Sequence, residues 1–318
     1  MRTKILFTAG GSPGQQIVFE LLSKKYDVFF ADVDINKIYP GIPKTHQFQI
    51  PSVQENNYLQ EIVKCCETNS INLLVPGIDE ELCLILENKN LFKKTNIFLP
   101  SIGFVNLMLN KEHMNKAFRE KGISVPKSEN SKSFDGQFEF PIILKPITGR
   151  GSRDVYTVET RRKLKHLIFA FQDNDIDWLV QEKEIGEEYT VQVLATPTSE
   201  LLGVFPIRVF EKRGSTTFAE MHHCDEIIKY CHQIHNAFMP TGCYNVQLIK
   251  RKNGKISCFE INPRISTTFC MVLKAGYDPF KYFLDSWDGS VIDSDITYKV
   301  PTISLNRHWK NSLEVRKL

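Results

Sequence analysis

Apolar positions in the first hundred residues fall into short continuous runs, each followed by a stretch with helical spacing. Ile5-Leu6-Phe7-Thr8 is a strand-length run, and the glycine-rich turn Ala9-Gly10-Gly11-Ser12-Pro13-Gly14 follows it. Ile17, Val18, Leu21 and Leu22 then recur at helical spacing. Val28-Phe29-Phe30-Ala31 predicts a second strand, ending in Asp32 and Asp34. A helix around Ile62–Cys66, a strand at Leu73–Pro76, a helix opened by Gly77-Ile78-Asp79 and a strand at Ile97–Leu99 continue the alternation. Apolar strands alternating with amphipathic helices predict a parallel sheet covered on both faces.

From about Phe104 the pattern changes. A helix is predicted from Asn110 to Lys121, with Gly122 as its C′ residue. Pro141–Pro146 is a buried strand ending in Lys145, and Val155–Val158 is its return partner. Between them lies the small polar tip Thr148-Gly149-Arg150-Gly151-Ser152-Arg153. Leu164–Phe171 reads as a helix and Trp178–Gln181 as a strand. Tyr189–Val193 and Leu201–Ile207 read as antiparallel strands. Asn245–Lys250 and Ile256–Ile261 form a hairpin about Lys252-Asn253-Gly254, whose Asn-Gly suits such a turn. No internal repeat or low-complexity segment interrupts this order.

Composition narrows the class without naming a function. With 318 residues, 42% hydrophobic and 24% charged, the chain is an ordinary globular one long enough for about two domains. Forty basic against 37 acidic residues leave +3, which gives no electrostatic case for nucleic acid or an acidic membrane. No apolar run approaches the roughly 18 residues of a membrane helix. Ile5-Leu6-Phe7 is too short for a secretory apolar segment, so a cytoplasmic location is expected. Eight cysteines without a CxxC point to reduced thiols. His222-His223-Cys224, Cys231-His232 and His235 lack the spacing of a zinc ribbon or finger.

Three features carry candidate chemistry. In the tip after Lys145, the backbone N–H groups of Gly149, Gly151 and Ser152 could close on phosphate oxygens beside a fixed positive charge. The bland alternative is a turn. Glu260-Ile261-Asn262-Pro263-Arg264 ends the last hairpin, and period-two alternation puts Glu260 and Asn262 on one strand face. Gln247 and Asn245 share a face of the neighbouring strand. Together these gather the hard oxygen ligands that magnesium prefers, with Arg264 beside them for phosphoryl charge. The third feature, Val180–Tyr189, leaves a strand through acidic residues to Gly186 and could serve as an adenine-binding hinge. The turn at Ala9–Gly14 lacks the first glycine of a dinucleotide fingerprint, though Asp32 and Asp34 stand near a ribose position, and a plain βα turn is the competing reading.

From about Phe104 to about Pro279 the chain resembles the ATP-grasp superfamily, in its carbamoyl phosphate synthetase large-subunit type and stand-alone carboxylate–amine ligase relatives. Gly242–Gln247 with Phe259–Ser266 carries that resemblance most specifically. It implies an α/β chain: a Rossmann-like pre-ATP-grasp parallel sheet over residues 1–103, then a two-lobed α+β ATP-grasp domain over 104–300, with lobes 104–184 and 185–300, and a tail at 301–318. It implies ATP and Mg2+ (or Mn2+) as cofactors. Lys111 and Lys145 match its phosphate-binding cations, and Gly149, Gly151 and Ser152 its phosphate-covering loop. Glu182, Lys183 and Ile185 match the adenine hinge, and Glu188 the ribose acid. Gln247, Glu260 and Asn262 match metal ligands, and Arg264 the catalytic arginine. Arg208, Arg213 and Asp79 are candidate substrate contacts, against the plainer readings of a solvated basic loop and of a helix-start acid. The implied partners are a small carboxylate and an amine, with a homodimer also allowed. The implied reaction is amide formation through an acyl phosphate; alternatives are carbamoyl-phosphate-type chemistry, another carboxylate phosphorylation, or a nucleotide sensor without turnover. Two departures stand out: the tip has two arginines and few glycines, and Ser266-Thr267-Thr268-Phe269-Cys270 replaces the usual serine-rich run.

Overall fold

The computed structural model describes residues 2–149, 151, 153–171, 176–287 and 300–308. Its first layer is a parallel sheet of β1 (Lys4–Phe7), β2 (Asp27–Asp32), β3 (Gln47–Gln49), β4 (Leu73–Val75) and β5 (Asn96–Ile97), in the order β3-β2-β1-β4-β5. Helices α1 (Gln15–Leu22), α2 (Tyr58–Asn69) and α3 (Asp79–Glu87) connect these strands. Ile5, Leu6, Phe7, Leu73, Leu74 and Val75 are all 0% exposed, as continuous apolar runs require when both faces are covered. The strand order turns about at β1. The crevice at such a switch point lies beyond the carboxyl ends of the central strands. Here it falls at the Ala9–Gly14 turn after β1 and the Gly77–Asp79 turn after β4.

Helices α4 (Ile102–Leu109) and α5 (Lys111–Glu120) lead into a four-stranded antiparallel sheet. It contains β6 (Ser128–Asn130), β7 (Ile142–Pro146), β8 (Tyr156–Val158) and β9 (Trp178–Glu182), ordered β6-β9-β7-β8 and backed by α6 (Arg161–Ala170). The third sheet is also antiparallel. It holds β10 (Glu187–Ala195), β11 (Leu201–Arg213), β12 (Ser215–Met221), β13 (Cys243–Lys250) and β14 (Ile256–Asn262), with α7 (Asp225–Phe238) on one face. Helices α8 (Phe269–Lys274) and α9 (Pro279–Trp287) follow. The final strand, β15 (Ile303–Asn306), pairs with β12 and completes the order β14-β13-β10-β11-β12-β15. Residues 303–306, expected in a tail, thus cover an edge that would otherwise leave β12 unpaired.

The layers share side chains. Phe7, Phe30 and Phe98 of the first layer pack in one core with Phe269, Phe280 and Phe283 of α8 and α9, and with Phe205, Ile207 and Leu305 of the third sheet. Phe280 meets Phe7 edge-on at 5.7 Å and Phe98 at 5.1 Å between ring centroids. One face of the first sheet is therefore covered jointly by α1 and by helices from late in the sequence. None of the described helices is long and apolar enough to cross a membrane.

Candidate functional site

A cavity of about 280 Å³ lies between the four-stranded sheet and the strands β10, β13 and β14. Two lysines stand in its wall. Lys111 opens α5, where Asn110 caps the helix by accepting from the His113 N–H at 3.0 Å. Lys145 lies at the end of β7. Both side chains are buried, at 6% and 4% exposure. Lys111 Nζ donates to the Gly149 carbonyl at 2.8 Å and sits 3.3 Å from Glu260 Oε1. Lys145 Nζ donates to the Phe259 carbonyl at 3.0 Å. Burial lowers the Lys145 pKa to about 8; Glu260 opposes that shift and Lys111 adds to it. Two buried ammonium groups therefore share one carboxylate, leaving a surplus of positive charge facing the cavity.

The hinge lies at the cavity's other end. Gln181, Lys183, Glu184 and Glu188 line it, while Ile185 is 78% exposed and is not part of its lining. Glu182 turns outward to Lys127 at 3.6 Å, and its N–H bonds the Lys127 carbonyl at 2.9 Å. Glu184, overlooked in the sequence, is 3% exposed at its side chain and pairs with Arg251. That pair fixes the hinge against β13. Gly186 makes the approach possible, since a Cβ there would stand 2.3 Å from the Lys250 carbonyl oxygen. Glu188 pairs with Lys212. Gly151 lines an adjoining cavity, and Ser152 lies outside the described residues.

The metal-ligand candidates face one another across β13 and β14. Gln247 pairs with Glu260 and Asn245 with Asn262 in register. Among the described residues no three His, Cys, Asp or Glu side chains group as a metal centre. One carboxylate and two amide oxygens nevertheless fit magnesium, which keeps few protein ligands and takes others from nucleotide phosphates. The turn after Asn262 is fixed by Gln192, wholly buried and also overlooked. Its Oε1 accepts from the Ser266 N–H at 2.9 Å and its Nε2 donates to the Tyr244 carbonyl at 2.7 Å. Arg264 Nε donates to Asp79 Oδ1 at 2.5 Å, and both side chains are largely buried. Asp79 opens α3, so the first layer holds the arginine of the third. Glu81, 1% exposed, steadies that opening by accepting from Thr8 Oγ1 at 2.5 Å, the Tyr58 hydroxyl, and the N–H groups of Gly77 and Ile78 at 2.8 and 3.0 Å.

The remaining substrate candidates lie elsewhere. Arg208 pairs in register with Tyr189 and bridges Glu187 at 2.8 Å, on the strand face away from the cavities. Arg213 is exposed and bonded to Glu211. The lysine between them, Lys212, lines both the nucleotide-sized cavity and its neighbour. Between Val209 and Glu211 the register admits one extra residue in β11, Phe210, which breaks the alternation and sends Lys212 to the opposite face from Arg208. The Ala9–Gly14 turn is closed by its own chain. Asp32, the ribose-acid candidate, instead accepts from the Gly11 N–H at 2.9 Å, and a Cβ on Gly11 would stand 2.5 Å from that of Lys37. Residue 37 thus packs closely against the turn at Gly11.

Residues 174–308 match a family model described as ATP-grasp in the biosynthetic pathway with Ter operon. Residues 5–99 match the PylC-like N-terminal domain. No curated protein matches the chain in sequence. Solved structures align over nearly its whole length. Carboxyaminoimidazole ribonucleotide synthase from Aspergillus clavatus, complexed with ATP, aligns with TM-score 0.69 and 16% identity over 92% of this chain and 78% of that one. L-amino acid ligase from Bacillus licheniformis aligns with TM-score 0.68 and 12% identity over 93% and 77%. Pyruvate carboxylase from Rhizobium etli aligns with TM-score 0.69 and 16% identity over 92% of this chain, which spans only 29% of that much longer protein. At these identities the likeness is one of fold.

Proposed function

We propose that the chain, whose residues 174–308 match an ATP-grasp family model, is an ATP-dependent carboxylate–amine ligase acting through an acyl phosphate. The observation that carries the proposal is the pair of buried ammonium groups, Lys111 and Lys145, set around Glu260 in one cavity. Burying two like charges beside a single carboxylate is costly unless a polyanion completes the balance. A triphosphate is such a polyanion. The fold's likeness to an ATP-bound synthase and to an amino acid ligase agrees with that reading.

In this proposal Lys111 and Lys145 hold the phosphate chain, while Glu188 and the hinge from Gln181 to Glu184 hold the nucleoside. Magnesium, held by Gln247, Glu260 and Asn262, would neutralise charge on the transferring phosphoryl group. The substrate carboxylate oxygen attacks the γ-phosphorus as the bond to ADP breaks. Arg264, oriented by Asp79, then faces the acyl phosphate's developing charge. An amine nitrogen attacks the carbonyl carbon, phosphate leaves with the electron pair, and the amine's proton passes to phosphate or solvent.

The experiment is ADP release by purified protein with magnesium-ATP and a panel of acids and amines. Release is expected only when an acid and an amine are both present. Glu260→Gln and Arg264→Ala should each lower it by about 10²–10³-fold while near-ultraviolet circular dichroism stays unchanged. Normal turnover in both folded variants would sink the ligase assignment, and ATP binding without turnover in any mixture would favour a sensor.

A further inference from the structure

Beside the nucleotide-sized cavity lies a second one of about 110 Å³, sharing Lys212, Gln247 and Glu260 with it and running on to Arg264. Its wall differs in kind. The larger cavity sets Ile143, Val155, Ile249 and Phe259 against its occupant. The second is lined by side chains that are all polar or charged, apart from glycines, with Thr190, Thr216, Ser266 and Thr268 supplying hydroxyls. The wall is also held in place. Thr190 Oγ1 donates to Asn245 Oδ1 at 2.6 Å, and the Ser266 and Thr268 hydroxyls bond at 2.7 Å. Arg307 donates to the backbone carbonyls of Thr216 at 2.9 Å and Thr267 at 2.5 Å, tying two wall segments together.

We propose that this cavity selects the acid: a small monocarboxylate of about three or four carbons bearing hydroxyl, amino or amide groups. The proposal rests on the ligase reading and names the substrate class of that site. Volume bounds the size from above, since even an enclosed cavity of roughly 150 Å³ takes only a benzene-sized molecule and magnesium on Gln247, Glu260 and Asn262 would share this space. Polarity follows from the wall. An alkyl or aryl acid would strip water from hydroxyls and amides and return no hydrogen bond. A site built to bond a substrate hydroxyl discriminates strongly against the analogue without it. The single charge follows from the cations. Lys212 and Arg264, the described cations on this wall, are already paired with Glu188 and Asp79. The reacting carboxylate has them to share, and a second carboxylate would have no cation of its own.

Binding is measured by saturation-transfer NMR on the whole protein with magnesium and a non-hydrolysable ATP analogue, and turnover by ADP release with magnesium-ATP and mixed amines. The acids are glycerate and serine, butyrate and phenylacetate, and malate. Glycerate or serine should bind and turn over at least tenfold better than butyrate and phenylacetate, with malate also disfavoured. Thr216→Val, which keeps the shape and removes a hydroxyl, should reduce the preference for glycerate or serine over butyrate at least threefold. Equal or better use of butyrate, phenylacetate or malate overturns the inference, as does an unchanged ratio in Thr216→Val. Binding of none of these acids beside a bound ATP analogue also overturns it, while leaving the ligase reading open to a larger acid. Failure of the nucleotide itself to bind would overturn that reading as well.

Discussion

Lys145 is buried with its ammonium on one backbone carbonyl, so its proton is held less tightly than a free lysine's. Below a pH of about 8 the group is charged and ready for phosphate; above it the unliganded group becomes neutral. Nucleotide phosphates favour the charged form, so binding at pH 9 should take up a proton and binding at pH 7 should not. The affinity lost should be up to about tenfold per pH unit above 8. Calorimetry in buffers of different ionisation enthalpy measures that uptake, and Lys145→Met should abolish it. Lys212 bridges the two cavities from its pair with Glu188. In Lys212→Met, kcat should fall at least about tenfold while the ATP-analogue Kd moves less than threefold. In the sequence Lys145, Glu260 and Arg264 stand out because each lies in a local strand-end or loop motif, while Lys111 enters only through the resemblance. It could not separate Lys212 from Arg208 and Arg213, because alternation counted along β11 fails at the extra residue between Val209 and Glu211.

At the scale of elements, most strands could be read from their apolar runs, and α5 and the β13–β14 hairpin from their cap and turn. Helix α7 was not anticipated, although Ile227, Tyr230, Cys231 and Ile234 recur at helical spacing; the neighbouring His and Cys residues drew attention to metal chemistry instead. The turns are where element geometry meets function. In Gly186→Ala the new Cβ collides with the Lys250 carbonyl, so the hinge must shift. ATP-analogue affinity should drop about tenfold, with a stability loss of about 2 kcal/mol on urea unfolding. Glu81→Ala leaves the donors of Thr8, Tyr58, Gly77 and Ile78 without their common acceptor. That should cost about 3 kcal/mol or more in the same measurement. Because Asp79 begins the same helix turn, residual activity should fall further than stability alone would require.

At the scale of the whole molecule, the shared core predicts one cooperative unit where the sequence suggests separable domains. Phe7 and Phe98 find part of their cover in α9, which no local pattern near those phenylalanines could announce. Calorimetric unfolding of the full chain should give a single transition. Residues 1–103 expressed alone should give helical far-ultraviolet circular dichroism but poorly dispersed amide NMR signals, since the part of one sheet face that α8 and α9 cover, around Phe7 and Phe98, is bare. A well-dispersed spectrum from that fragment would contradict the interlocked architecture. The β15 strand escaped the sequence for the same reason: its role is set by the open edge of β12, more than eighty residues earlier.

That covering of the first sheet by the last helices has a consequence for biosynthesis. Phe283 must leave the ribosome before the packing around Phe98 can close. At about 5–20 residues per second, the early strands wait on the order of ten seconds to a minute with part of an apolar face open to water. The nascent chain is thus a natural client for a holding chaperone throughout that interval, and its yield should depend on translation speed across the intervening message more than on the stability of the finished protein.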